Sequence, residues 1–412
     1  MHECRTPPPP VTNGSVIAGY FVNWGIYARN YIVTDLAKNA QCLTHILYAF
    51  ANLEPSGQVV LGDVWADKDK HFPQEQTIDG RGDPWSDNDA SNLFGNFKQL
   101  YLLKQRYRHL KVSLSIGGWT WSTNFAGVAT DPSKRAVFVR SAVQHLGDLG
   151  LDGIDIDWKY PKTEQEALNY VHLLYELRLA LDAYQQQYRQ TDQPRLILSV
   201  AVPCGGSNYR VLRLRDMSPY VDLFYLMAYD FAGSWDAQTG HQSALHGPPG
   251  SLHCHQAVAD YIAAGVPASK LVMGMPAYGR AFSQTNGPQC PYQGTPEGSW
   301  EKGQYDYKAL PRPGAQESHD PQQVASWSYD PVKREYVTYD SPVVVQTKCD
   351  YIGQMGLAGA MFWELSADRP VGHPRSLVHT VHRALGHHLD SMPNHLEYPA
   401  SQYANMRYCM RS

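Results

Sequence analysis

Short apolar runs rich in β-branched and aromatic residues recur along the chain, separated by stretches of helical spacing, and this alternation predicts a parallel sheet built from βα units. Eight runs stand out: Ser15 to Phe21 (SVIAGYF), Leu43 to Phe50 (LTHILYAF), Leu110 to Ile116 (LKVSLSI), Gly150 to Asp157 (GLDGIDID), Arg195 to Val202 (RLILSVAV), Val221 to Tyr229 (VDLFYLMAY), Lys270 to Pro276 (KLVMGMP) and Gly356 to Trp363 (GLAGAMFW). Eight is the number that closes a (β/α)8 TIM barrel, an α/β fold. The helix after the fourth run is well marked: Thr163 and Glu166 make a capping-box pair, and Ala167, Val171, Leu174, Leu177 and Leu181 follow at helical spacing. It is predicted to end before the polar stretch Gln185 to Gln193.

The interval between the seventh and eighth runs is the longest. Its Tyr/Trp-rich segments predict a few short strands, a small α+β insertion over residues 281–347. Loops that follow barrel strands build the functional face, so an insertion there deepens a cleft. The barrel then takes residues 15–280 and 348–387. Residues 1–14, with Pro7 to Pro10, read as a flexible N-terminal arm, and residues 388–412, without a clear period, as a peripheral C-terminal tail.

Composition narrows the function. With 412 residues and 43% hydrophobic positions the chain buries a large core, as two domains or as one barrel with insertions. A net charge of -4 without a Lys/Arg run argues against a nucleic-acid partner, and none is expected. No apolar stretch approaches the roughly 18 residues that suggest a membrane span. The start MHECRTPPPPVTNG has no apolar signal core, which leaves an extracellular chain with its signal removed, or a cytoplasmic one. Seven cysteines lie scattered without metal-ligand spacing, so free thiols are expected rather than a disulfide frame, and no metal or other cofactor. A monomer is expected. The 27 Tyr and 10 Trp against only 18% charged residues suggest a groove for flat apolar contact, with sugars among its ligands.

The most informative segment is LDGIDIDWKYP, Leu151 to Pro161. Asp155, Asp157 and Lys159 share one parity of a strand and project to one side, the lumen. Buried carboxylates cost several kcal/mol when unpaired, so they serve either a task or a structural ion-pair cluster with Lys159.

This segment resembles the fourth barrel strand of glycoside hydrolase family 18, the chitinases, with its pattern D-G-x-D-x-D-x-E followed by Tyr-Pro. Asp152, Gly153, Asp155, Asp157, Tyr160 and Pro161 match. The resemblance continues through GYFVNW (Gly19 to Trp24), SIGGW (Ser115 to Trp119), MAYDFAGSW (Met227 to Trp235), GMPAYGRAF (Gly274 to Phe282) and GAMFWE (Gly359 to Glu364). It is closest to the fungal and bacterial members that carry the inserted α+β domain. It implies a retaining, substrate-assisted reaction in which the substrate's own N-acetyl oxygen attacks the anomeric carbon. Asp157 would then face the acetamido N–H, with Asp155 adjusting its charge. Tyr229 would hydrogen-bond the acetamido oxygen, and Trp363 would form the floor beneath the sugar. Met227, Asp230, Tyr278 and Arg280 match wall and hydroxyl contacts, Tyr160 is grouped with them, and Trp119 and Trp235 match aromatic platforms. For Tyr20, Phe50 and Trp24 barrel core and ligand contact stand as equal alternatives. Ser115, Gly117 and Gly118 read as close-packing positions. Trp121, Trp300 and Trp327 are rim platforms or packing of the insertion, and His241 and Gln242 read as loop scaffold.

The departure is Lys159, where the resemblance places the glutamic acid that protonates the leaving oxygen. An ammonium with lysine's ordinary pKa of ~10.4 is a poor acid at neutral pH, and losing general-acid help costs on the order of 10²–10⁴ in rate. It also competes for Asp157. The reading is therefore a protein that binds chitin and chitooligosaccharides with hydrolysis lost or strongly impaired. The alternatives are a working or slow chitinase in which Asp230 or Glu364 supplies the proton, an inactive engineered variant, and a scaffold that has lost sugar binding. Exchanges made to trap substrate more usually install an amide, which favours a natural lysine.

Overall fold

A computed structural model describes residues 11–84, 91–188 and 193–410. Eight parallel strands close into a barrel: Val16–Val22, His45–Leu53, Lys111–Gly117, Gly153–Asp157, Ile197–Pro203, Leu223–Met227, Leu271–Pro276 and Gly359–Trp363. The first strand pairs with both the second (Gly19 opposite Ile46) and the eighth (Gly19 opposite Phe362), which removes the sheet edges. A short strand, Val59–Leu61, returns antiparallel to the second. One apolar core lies between sheet and helices; a second fills the lumen with Val16, Tyr20, Leu47, Leu223, Tyr225 and Met361.

All eight expected runs hold a barrel strand, with shifted ends. The fourth strand starts at Gly153 because Gly150, at φ 73°, ends the helix Pro132–Leu149 in the left-handed conformation. Gly356, at φ 64°, stops Pro342–Met355 in the same way and moves the eighth strand's start to Gly359. The helix Glu164–Tyr188 runs past its predicted end. Glutamine is a good helix former, and Gln185 has partners there: its amide donates to Pro194 O at 2.7 Å and its oxygen accepts Leu196 N–H at 2.9 Å. At its start Thr163 Oγ1 accepts Glu166 N–H at 3.1 Å, while the Glu166 carboxylate takes Lys162 N–H rather than that of Thr163.

The inserted sheet has five antiparallel strands in the spatial order Gln304–Asp306, Tyr278–Phe282, Glu335–Thr338, Ala325–Asp330, Gln316–Asp320. Its first strand, Tyr278–Phe282, follows the seventh barrel strand after one residue, so the sheet begins earlier than the pattern suggested.

The tail is not peripheral. Asp390, Asn394, Tyr398 and Met406 are buried under the N-terminal ends of the strands. Asp390 pairs with Lys111 at 2.7 Å, and Asn394 donates to Lys104 O and Leu110 O. Asp152 accepts N–H groups from Val112 and His395 and pairs with Lys104 at 2.7 Å. The arm also differs from expectation where it is described: Asn13 donates its backbone N–H to Asp390 and accepts that of Ser391, and Ser15 N–H reaches His388 O. The remainder of the arm, residues 1–10, lies outside the described residues. Cys42, Cys204, Cys254, Cys290, Cys349 and Cys409 are free. Among the described residues no helix is long and apolar enough to cross a membrane.

Candidate functional site

The fourth strand carries Asp155 and Asp157 on its lumen side, both almost fully buried. Asp155 is gripped laterally. Ser115 Oγ donates to it at 2.6 Å, Ser199 Oγ at 2.7 Å and Tyr20 OH at 3.3 Å. Both serines sit opposite Asp155 in the strand register. Burial pushes its carboxyl up to about 6, against the lowering effect of the hydroxyls and with help from the charge of Asp157. Sequence reasoning assigned Ser115 to packing and missed Ser199; the signal was a small hydroxyl residue at the matching register of each flanking strand.

Asp157 meets Lys159 instead of a neutral donor. Lys159 Nζ lies 2.5 Å from Asp157 Oδ1, with the lysine side chain 15% exposed and the aspartate 2%. Lys159 N–H donates to Ser122 Oγ at 2.8 Å, and Ser122 in turn donates to Gly118 O. The turn behind them requires glycine: a Cβ on Gly117, at φ 113°, would lie 2.3 Å from Asp157 O, and one on Gly118 would meet the Phe50 ring.

Around this pair stand the other site candidates. Tyr229 leaves the sheet just after the sixth strand, edge-on to Tyr278 with ring centres 6.1 Å apart. Burial first, then the charges of Asp230 and Asp157, holds its hydroxyl well above the usual phenol range. Burial and Asp157 also raise Tyr160. Asp230, at φ 61°, accepts Tyr278 OH at 2.6 Å and Arg280 Nε at 2.7 Å. The Arg280 guanidinium lies 4.7 Å from the centre of the Trp235 ring, whose residue is 59% exposed. Met227 is buried. Trp363 packs on Tyr20 at 5.0 Å and nearly parallel to Phe50 at 5.7 Å. Tyr20 and Phe50 belong to the lumen core, whereas Trp24, stacked on Phe50 at 6.3 Å, is half exposed. Trp119 stands out at 80% exposure.

The other aromatic and loop candidates divide. Trp121 packs against the lumen core, and Trp327 against His241 and Tyr336; Trp300 is exposed. Gln242 is scaffold, its amide donating to Tyr278 O and Thr338 O. The two substitute acids are committed elsewhere. Asp230 serves Tyr278 and Arg280, and Glu364 is buried with Ser366 and with Arg29 at 2.6 Å. A separate cleft of about 500 Å³ lies between the loop after the sixth strand and the insertion, lined by Phe231, His241 and Tyr336 among others and by no carboxylate of the fourth strand. Among the described residues no group of three or more His, Cys, Asp or Glu side chains is arranged to hold a metal ion.

A closed (β/α)8 barrel with two buried carboxylates at the fourth strand's C-terminal end, ringed by aromatic side chains, has the architecture of a barrel hydrolase. The chain belongs to the glycosyl hydrolases family 18, whose family model matches residues 16–368. It is 46% identical over 399 residues to "Endochitinase 1" of Metarhizium robertsii, covering 96% of this chain and 90% of that protein. It is 30% identical to "Sporulation-specific chitinase 2" of Saccharomyces cerevisiae, covering 91% and 78%. The catalytic domain of psychrophilic chitinase B from Arthrobacter TAD20 superposes with a TM-score of 0.83 at 29% identity, covering 92% of this chain and 97% of that one.

Proposed function

We propose that this chain binds chitin oligosaccharides across the barrel mouth and hydrolyses them slowly or not at all, because Lys159 stands where the reaction needs an acid. The observation that carries the reading is the 2.5 Å contact between Lys159 Nζ and Asp157 Oδ1. In this reading the cation stands in for the acid, and the carboxylate that would face the acetamido N–H is paired with it. Binding makes neither demand. In this reading Trp363 is the floor, Tyr229 donates to the acetamido oxygen, and Trp119 and Trp235 extend the contact.

The names of the relatives favour a second reading, a working chitinase. Against it, Asp230 and Glu364 are both tied to arginine, so neither is free to act as the proton donor. One experiment separates the two: product release from N-acetylglucosamine hexamer, with tryptophan fluorescence on the same sample. A saturable fluorescence change without products supports the binding protein, and products at the rate of a chitinase overturn it. The absence of both signals overturns the sugar reading.

A further inference from the structure

Three histidines gather outside the site described above, where the helix Cys254–Ala263 meets the insertion. The His255 ring lies 5.4 Å from that of His246 and 6.3 Å from that of His253, nearly parallel to the latter at 10°. His253 is the N-cap of the helix, its Nδ1 accepting Gln256 N–H at 3.2 Å. A backbone N–H can only donate, so this nitrogen carries no proton and the ring is neutral, with its hydrogen on Nε2. Residues 244–246 run as a strap across the helix start. Ala244 O accepts Cys254 N–H at 3.0 Å, and Leu245 O accepts His255 N–H at 2.9 Å. On the other edge His246 N–H donates to Gln323 O at 3.0 Å and Leu245 N–H to Val324 O at 3.4 Å, in the turn between the insertion strands Gln316–Asp320 and Ala325–Asp330. The strap then passes closely over the cap, since a Cβ on Gly247 would lie 3.0 Å from His253 Cδ2.

A proton added at His253 Nδ1 turns the acceptor into a donor pointed at Gln256 N–H. It also sets a positive charge at a helix N-terminus and beside two further imidazoles. All three effects act against the cap. The surrounding elements offer no carboxylate to offset them. Asp260, on the same helix, takes the Gln256 amide and Tyr209 OH; Asp340 takes Lys348 and Ser243; Asp350 takes the Gln346 amide; Asp320 takes Gln322 and Gln323 N–H. Lys348 itself donates to Ser243 O next to the strap, and Tyr351 OH lies 2.8 Å from His255 Nδ1. Burial first, and then the neighbouring rings, lower His253 from 6.5 against the opposing effect of the Leu245 carbonyl; burial and His255 lower His246 in the same way. The stability that these neutral rings contribute is present above about pH 6.5 and is lost as pH falls below it.

We propose that His253, with His246 and His255 around it, is an acid-released latch: its protonation uncaps the helix Cys254–Ala263 and frees residues 244–246 from the insertion turn. The latch stands whatever the barrel mouth binds. At neutral pH the strap is held on both edges, and the insertion is tied to the barrel's outer helix through it. In acid the helix start gives way first, because the cap and the two strap bonds to Cys254 and His255 share the same few residues.

Amide hydrogen exchange on the full chain, followed by mass spectrometry at pH 7.5 and pH 5 and corrected for the chemical exchange rate, tests this. Peptides covering residues 244–257 and 321–325 should exchange at least about tenfold faster at pH 5, while those of the helix Glu164–Tyr188 keep their protection. His253→Asn caps through an amide oxygen that does not titrate, so its peptides should exchange alike at both pH values. If that variant does not fold, His253→Ser, which also caps without titrating, is held to the same criterion. Equal protection of the wild type at both pH values overturns the latch, and so does a non-titrating variant that opens in acid as the wild type does. A matching acceleration in the helix Glu164–Tyr188 means that the whole fold loosens, and it overturns the latch as well.

Discussion

Ser199 and Asp155 face each other across neighbouring strands, the hydroxyl donating to the carboxylate at 2.7 Å in a lumen closed to water. Ser115 does the same from the other side at 2.6 Å. These hydroxyls serve either protonation state, because each can donate to a carboxylate or accept from a carboxylic acid. Asp155 is thus able to change charge without losing its partners.

The first prediction concerns that charge. Asp155 is raised from 3.8 to about 6 in the fold, so the folded state holds its proton more tightly than the unfolded chain. Its contribution to stability is complete below about pH 4, is lost as pH rises through about 6, and stays lost above that. Asp155→Asn is expected to be more stable than the wild type at pH 8, by on the order of 1–3 kcal/mol, and level with it near pH 4. Asp67, also raised to about 6 by burial, is common to both proteins and cancels in the comparison. Urea unfolding of the pair at four pH values checks this, and a difference that does not vary with pH refutes it.

If the proposed reading holds, Lys159→Glu raises reducing-end production from N-acetylglucosamine hexamer at least about a hundredfold over the wild type. The new carboxyl group would sit beside Asp157 in a partly buried place, which raises an acid toward neutrality, and activity should fall on both sides of a mildly acidic optimum. Lys159→Gln breaks the ion pair without supplying an acid and should not raise the rate. Equal rates for the glutamate and glutamine variants would show that the acid is not what is missing.

Trp363→Ala should weaken hexamer binding by tenfold or more, and Trp327→Ala by less than about twofold. Trp363 lies at the mouth on Tyr20 and Phe50, whereas Trp327 is spent on packing against His241 and Tyr336. Matching losses in calorimetric titration would place the ligand elsewhere.

Lys111→Met leaves Asp390 buried without its cation and is expected to cost about 3–5 kcal/mol, while Lys111→Met with Asp390→Leu recovers most of that. Chemical denaturation of both variants is the measurement. A single variant as stable as the wild type would mean that the tail contributes nothing to closing the barrel.

What was legible in the sequence was periodic or clustered. The strands showed as apolar runs, and the carboxylate strand showed because Asp155, Asp157 and Lys159 alternate along one short segment. Strand starts moved where a glycine ended the preceding helix, as at Gly150 and Gly356, since DGI and AGA look extended whichever residue is the first to pair. Arg29, Asp306 and Glu364 had no local signature, because an ion pair across some 280 or 335 positions leaves no period in either segment. The tail was misread for the same reason: Asp390 and Asn394 are polar, and only their distant partners Lys111 and Leu110 reveal that they are inside.

Sealing by Asp390, Asn394 and Tyr398, together with the side chains that fill the lumen, makes the barrel a cup with one rim. Nothing long can pass along its axis. A polymer bound as proposed above would therefore have to cross the rim near Trp363 rather than run through the barrel.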